Sequence, residues 1–581
     1  MEKIDNQHKG NKNKWLYSIL MVAAMIVIIL LTNFLPGRLD LTSEGRYTIT
    51  QPSKTLLSRI DEQMQITVLL EGEKLPSGFK KLQQATRVFL DNCRNYSKQK
   101  IVYSFVTPEE FLANKERFPI DDTAKIEWLK STSISQYEVD KSGSRSTSIN
   151  PVALIAYKGE YATVNLMDGQ PNKGFTNPNE SVMQYETINV AEAQMEFNFV
   201  SAINALVNPQ PKSVAYLLGN GEPTGPETFD LSQTIKARFP FFVLNIDNHP
   251  FISDSIDVLL IVKPTIPFTQ AQKLKLDQYI VKGGKVLFLL DQLNGGMDTL
   301  RANGKEVTIY SRGLNLDDLL FKYGARINND LVEDKQSDML PQTVGMIGDQ
   351  PQIQLLPWPY FPLLYSQSNH PIAKNLDAVI MQFPNSVDTV AAPDITKNIL
   401  LTTGNTAKKT GAPTLVTVEV LKNLQNASYY KEANIPLAVL LEGHFKSLYA
   451  NRIGKSVTDS MAAMGTPFVA QSDKAGKILV TGDADWVLNA LTKNGPLEMG
   501  QNPYTQYVFA NKNFLQNTLA YFTDESGIMA SRSKNFTLRM LDPKKLEASK
   551  TGWQWLNIGL PLVVLLIGGA IFQYLRVRRY R

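Results

Sequence analysis

Residues 15–35, WLYSILMVAAMIVIILLTNFL, form a run of twenty-one residues without one charged side chain. As a helix this run spans roughly 31 Å, close to the ~30 Å hydrocarbon core of a bilayer. No other stretch constrains the fold so strongly, because a chain that starts with a membrane span places everything after it on one side. Lys3, Lys9, Lys12 and Lys14 precede the run, and basic residues ahead of a first span favour a cytoplasmic N-terminus. A cleaved signal peptide would have a shorter apolar region and a small-residue cleavage site, whereas here the run continues into Phe34, Leu35, Pro36, Gly37 and Arg38. The expectation is a basic cytoplasmic tail (1–14), an uncleaved transmembrane helix (15–35) and an extracytoplasmic body.

The far end supports the same topology. Residues 553–575, WQWLNIGLPLVVLLIGGAIFQYL, make a second uncharged span followed by a basic tail (576–581) with Arg576, Arg578, Arg579 and Arg581. Trp553 and Trp555 stand where an interfacial aromatic belt belongs, and the arginines mark a cytoplasmic end. Both termini are thus expected inside, with membrane lipid as a partner and the inner membrane as the location, the body lying in the periplasm. The formal charge of +5 lies mostly in the two tails. The near-neutral remainder excludes the basic surface that nucleic acid requires.

A single cysteine, Cys93, excludes an intramolecular disulfide and thiolate metal clusters. It sits in the apolar helical pattern Phe79, Leu82, Ala85, Val88, Phe89, Cys93, Tyr96, which suits a small buried hydrophobe. The histidines His8, His249, His370 and His444 have no metal-ligand spacing. No cofactor and no metal site is expected.

Between the spans the pattern is α/β. Residues 36–208 begin with an extended segment, RLDLTSEGRYTIT, and a short helix over 52–60. A strand at 65–70, a helix at 77–97 and a strand at 100–106 follow, then a hairpin (151–157 and 161–167) and a helical run to about 207. The order βαβ then ββα is that of a thioredoxin-like domain, but Glu71, Gly72, Glu73 and Lys74 occupy the place of a redox Cys-x-x-Cys pair. Asn208 to Lys212 mark a boundary. In residues 209–526, strands are expected at 214–218, 242–246, 256–262 and 285–291. Thr269 and Gln272 form a capping box ahead of a helix that stops at Gly283 and Gly284. The continuous apolar run KVLFLLD predicts a central parallel strand and a doubly wound sheet. An irregular insertion is expected at about 292–435, before the sheet resumes at 436–442 and 477–481. A linker, 527–552, leads to the second span.

Candidate chemistry gathers at the strand ends, where open parallel sheets bind ligands. Gly219, Asn220 and Glu222 follow one strand, Asp291 ends another, and Asp483 with Asp485 follow a third. Together they would make an acidic ligand pocket. The plainer reading is that the glycines shape a turn and the aspartates cap helices. The Pro-aromatic run with Trp358, Tyr360 and Phe361 would be a partner surface or an ordered loop over the core, and its prolines exclude a regular helix or central strand. The loop after Gly219 lacks the third glycine of G-x-G-x-x-G, and Tyr449 stands where a phosphate-binding loop ending in Gly454, Lys455 and Ser456 needs glycine. No strand enters a nucleophile elbow. No catalytic residue is assigned, and any ATPase must be a separate chain.

Several segments together resemble the GldG family of gliding-motility ABC transporter auxiliary proteins: RLDLTSEGRYTIT, VAYLLGNGE, DVLLIVKPTIPFTQAQKLKLDQYIVKGGKVLFLLD, LLPWPYFPLLYSQSNHP, GDADW and FANKNFLQNTLAYFTDESGIMASRSKNFTLRMLD. The resemblance covers nearly the whole chain. It implies a permease and a cytoplasmic ATPase as partners, a substrate-binding-like role in transport, and a second domain similar to class I glutamine amidotransferases without their catalytic Cys and His. The leading expectation is a non-enzymatic membrane subunit of an ABC complex. The alternatives are a cell-envelope hydrolase using Glu222, Asp291, Asp483 or Asp485, and a passive scaffold for envelope proteins.

Overall fold

The structure, a computed structural model, describes residues 48–533 and 543–579 apart from short stretches within them (73–74, 114–125, 127, 131, 141–142, 168–180, 210, 298–299, 301–305, 427 and 472). The first expected span, 15–35, and the tail before it lie outside the described residues.

The chain forms a mixed α/β structure whose first unit follows from alternating short apolar strands and amphipathic helices. Helix α1 (Gln51–Ser58), strand β1 (Met64–Val68), helix α2 (Ser77–Tyr96) and strand β2 (Ile101–Phe105) give a parallel pair; the hairpin β3 (Val152–Tyr157) and β4 (Glu160–Asn165) then adds antiparallel, and α3 (Ser181–Val207) follows. The sheet order is β2-β1-β3-β4. α2 turns Phe79, Leu82, Leu90 and Cys93 inward, all fully buried, and burial pushes the Cys93 thiol well above its ordinary range. The thiol is a packing element, as its place in the apolar pattern predicts. Each such fully buried Leu or Phe contributes about 1.5–3 kcal/mol.

The second unit is built on a seven-stranded sheet. Its strands are β5 (Val214–Leu218), β6 (Phe241–Asn245), β7 (Val258–Val262), β8 (Lys285–Leu289), β9 (Ile395–Thr402), β10 (Pro436–Gly443) and β11 (Gly476–Thr481), in the order β9-β10-β11-β8-β7-β5-β6. From β6 to β11 the neighbours are parallel, while β10 and β9 run antiparallel. The sheet is covered on both faces, which is why β7 and β8 are apolar without alternation. Val258, Leu260 and Val262 face α4 (Phe229–Lys236) and α7 (Asn511–Thr523). Leu259 and Ile261 face α5 (Gln270–Val281) and α6 (Asp317–Tyr323). The Thr269–Gln272 capping box forms as the sequence predicts.

The stretch expected to be an irregular insertion is more ordered than its composition suggests. It supplies β9 to the main sheet and several short antiparallel pairs, and between them a long hairpin of Ser337–Ile347 and Gln350–Leu364. The expectation that these prolines exclude a central strand is overturned: Gln350–Leu364 lies between Ser337–Ile347 and Val379–Ile380 in a three-stranded sheet, where a proline costs no ladder bond wherever the N–H it replaces would point away from the ladder. In the outer part of the hairpin, Met346 is opposite Pro351, Thr343 opposite Ile353 and Pro341 opposite Leu355, so one face is apolar. Ile353 is 67% and Met346 62% exposed. At the root the chain turns inward, and Trp358, Tyr360 and Phe361 are 1%, 2% and 5% exposed in a cluster with Phe383. Side chains buried to that degree hold the root of the hairpin and offer no surface to a partner.

The chain returns to the first unit at its end. Ile528 and Met529, in the segment expected to be a linker, are buried in the core of the β1–β4 unit. Lys212 pairs with Glu525 at 2.6 Å beside this crossing. Helix α8 (Pro543–Arg579) then runs through the rest of that linker, and its part from Gln554 to Arg579 is long and apolar enough to cross a membrane, with none of it buried.

Candidate functional site

The six expected pocket residues fall into two separate networks at the carboxyl edge of the seven-stranded sheet. From β5 the chain crosses to β6 on one side and returns to β7 on the other, so the strand order reverses between β5 and β7, the usual place for a ligand. Here that crevice is closed by the chain itself. Thr265 and Ile266, following β7, both donate their N–H to the Asn220 carbonyl, at 2.8 and 2.9 Å. A Cβ on Gly221, which lies at φ +78°, would stand 2.2 Å from Thr265 Oγ1. Asn220 Nδ2 donates to Gln272 Oε1 at 3.2 Å, and Gln272 Nε2 donates to Asp247 Oδ1 at 2.9 Å. Glu222 folds back to accept the Asn220 N–H at 2.8 Å; burial raises its carboxyl, against the backbone donors that lower it.

Asp291, Asp483 and Asp485 do come together, after β8 and β11, which are adjacent. One carboxylate oxygen of each lies within 4.8 Å of the others. Three such charges in a buried place require a counter-charge, and Lys263, the residue directly after β7, supplies it. Its ammonium is 3.3 Å from Asp291 Oδ2 and in direct contact with Asp485 Oδ1. Burial works to lower the Lys263 ammonium, but the charges of Asp291 and Asp485 outweigh it and hold the group above its ordinary value. Burial, with the Asp291 and Asp485 charges, pushes Asp483 well up. Asp485 is pushed up to about 6 by burial and the Asp291 charge, with Lys263 opposing.

The backbone takes most of the remaining carboxylate capacity. Ala484 N–H donates to Asp291 Oδ1 at 2.8 Å, Gln382 N–H to Asp483 Oδ2 at 2.9 Å and Asp485 N–H to Asp483 Oδ1 at 2.9 Å. Gly482 is pressed against the Asn385 carbonyl, where a Cβ would stand 1.9 Å from the oxygen. The arrangement ties the ends of β7, β8 and β11 to the segment around 382–385. Among the described residues, no hydrogen bond or ion pair joins this group to Gly219, Asn220 or Glu222, so the single acidic pocket resolves into a closed turn and a buried acidic cluster whose charge Lys263 offsets in part. Lys263 is the member that sequence reasoning missed. Its position at the first residue past an apolar parallel strand, one register position short of Asp291, was the available signal.

Residues 211–518 match the profile of a family described as an ABC-type uncharacterized transport system, an auxiliary component. This covers more than half of the chain. The chain belongs to that family. Residues 43–155 match a second family, a domain of unknown function. No curated protein matches the chain. Among solved structures, the mmIFT52 N-terminal domain is 14% identical with a TM-score of 0.30, covering 54% of this chain and 99% of its own. An exo-beta-1,4-mannosidase, Op5Man5 from Opitutaceae bacterium strain TAV5, is 11% identical with a TM-score of 0.19, covering 61% of this chain and 39% of its own. Overlaps this weak carry no inference of fold or activity. As a member of the auxiliary family, the protein is an accessory component associated with an ABC transporter complex, and its apolar C-terminal helix agrees with membrane association.

Proposed function

We propose that this protein is the non-catalytic, membrane-anchored extracytoplasmic subunit of an ABC transport complex associated with gliding motility, working with a separate permease and ATPase. The family match over residues 211–518 carries this reading. The pairing of Lys263 with Asp291 and Asp485 favours a supporting role for these carboxylates over acid–base chemistry at the sheet edge. The order β2-β1-β3-β4 supports a thioredoxin-like first domain, and the covered parallel sheet β11-β8-β7-β5-β6 an amidotransferase-like second one. The spans at 15–35 and 553–575 would hold both termini in the cytoplasm and the body in the periplasm, where other envelope proteins are within reach.

Purification of the full-length protein in a mild detergent, with mass spectrometry of what stays attached, tests the reading. A permease and an ATPase in fixed ratio are expected; recovery of the protein alone, or with envelope proteins only, would overturn it. The clustering of Asp291, Asp483 and Asp485, with Asp483 and Asp485 both raised by burial, is what favours a hydrolase. Loss of motility in a folded Asp485→Asn variant that keeps its partners would favour that second reading.

A further inference from the structure

A groove of about 670 Å³ is lined by α6, residues 326–329 and the turn at 448–452, and includes no member of the Lys263 cluster. Two of its three sides, α6 and the 448–452 turn, are fixed to α5 by charged residues that are completely buried, and residues 326–329 form the third. Lys273 holds Asp318 of α6 through both carboxylate oxygens, at 2.6 and 2.8 Å. One turn along α5, Asp277 accepts the Leu448 N–H at 2.7 Å and the Ser447 hydroxyl at 2.6 Å. Burying two charged-type side chains in one helix is costly unless each is fully engaged, and here each positions one wall. These two sides are therefore preset, and the groove's volume is that of a small-molecule site.

Its charge is unbalanced once the internal pairs are taken out. Asp318 is neutralised by Lys273, and Arg326 by Asp388 at 2.7 Å. What remains is Lys322 and Arg452, exposed and without an ion-pair partner among the described residues, against the single carboxylate of Asp317. Asp317 in turn accepts a hydrogen bond from Gln292 Nε2 at 3.2 Å, which places this end of the groove beside the carboxyl edge of β8. Phe321, 53% exposed, adds an apolar wall together with Leu448.

We propose that this groove binds a small monocarboxylate with an apolar body, its carboxylate between Arg452 and Lys322 and its apolar part against Phe321 and Leu448. Guanidinium and ammonium groups recognise a carboxylate by charge-assisted hydrogen bonds, and the excess of one cation matches a monoanion. The assignment stands apart from the transporter reading.

The test is calorimetric titration of the full-length protein in a non-ionic detergent with 4-phenylbutyrate, its neutral amide and inorganic phosphate. The acid is expected to bind at least tenfold more tightly than the amide and than phosphate. The double variant Lys322→Gln/Arg452→Gln, whose changes are both on exposed side chains, should lose at least tenfold for the acid while keeping the parent's thermal midpoint. Phe321→Ser should also weaken the acid, leaving phosphate unaffected. Equal binding of acid and amide, full binding by the double variant, phosphate binding as tightly as the acid, or no heat from the acid at millimolar concentration would each overturn the proposal.

Discussion

Lys263 shows how one side chain decides whether a group of carboxylates is a site or a support. Removing it leaves Asp291, Asp483 and Asp485 without their counter-charge, and breaking a buried pair on one side typically costs about 3–5 kcal/mol. Lys263→Met should lose stability of that order in denaturant titrations at pH 8. The loss should be smaller at pH 5, because protonation of Asp485, already raised to about 6, relieves the repulsion. His370 makes a second pH dependence, which also fades on acidification. Its Nδ1 accepts the Ile372 N–H at 3.3 Å and its ring meets Tyr521 edge-on, with Glu442 at 3.9 Å. Burial, and then the Lys477 charge, lower it from 6.5 to about 4. A histidine depressed in the folded state binds fewer protons there than in the unfolded chain, so its contribution is full above pH 6.5 and is lost as pH falls toward 4. Stability curves of the parent and His370→Gln should therefore converge on acidification across that window; parallel curves would refute the assignment. At Gly482 the constraint is steric. The Asn385 carbonyl fills the place of a side chain, and Gly482→Ala should shift β11 or unfold its end, seen as a cost of several kcal/mol of the overpacking kind.

At the level of elements, the hairpin over 337–364 separates exposure from burial within one strand. Ile353 and Trp358 are five positions apart, yet Ile353→Ser should change stability by less than about 0.5 kcal/mol, whereas Trp358→Ala should cost about 3–5 kcal/mol. Equal effects in thermal melts would mean that the root is not packed as described. This contrast was not legible beforehand. The strands β5, β7 and β8 could be read from continuous apolar runs, and α5 from its Thr269–Gln272 box, because each signal is local. The stretch LLPWPYFPLL has neither a helical nor a strand period, since its prolines replace the polar positions that would make one. Its aromatics therefore suit an ordered loop over the core better than a docking surface without excluding the latter, and the packing against Phe383 distinguishes the two. The strand-end residues were legible as positions and not as contacts. Spacing put Asp291, Asp483 and Asp485 on one edge, but the adjacency of β8 and β11, almost two hundred residues apart, decides that they meet while Glu222 does not.

For the whole molecule, the C-terminal crossing makes the core of the first unit depend on a segment that follows the second. Ile528 and Met529 belong in sequence to the end of the second unit and in space to the core of the first. Ile528→Ala or Met529→Ala should cost about 2–5 kcal/mol and should expose the β1–β4 unit to limited proteolysis before the seven-stranded sheet. Cleavage confined to the second unit would refute this. The hairpin has a consequence for how copies of the molecule behave in a crowded solution. A two-stranded ribbon with an apolar face offers its free edges to strand addition, the first step of fibrous aggregation. Pro351 and Pro357, which pair without contributing an N–H, leave gaps in the row of donors that a foreign strand would need. The prolines that obscured this strand in the sequence thus serve as gatekeepers, allowing an apolar ribbon to be exposed without becoming a template for polymerisation.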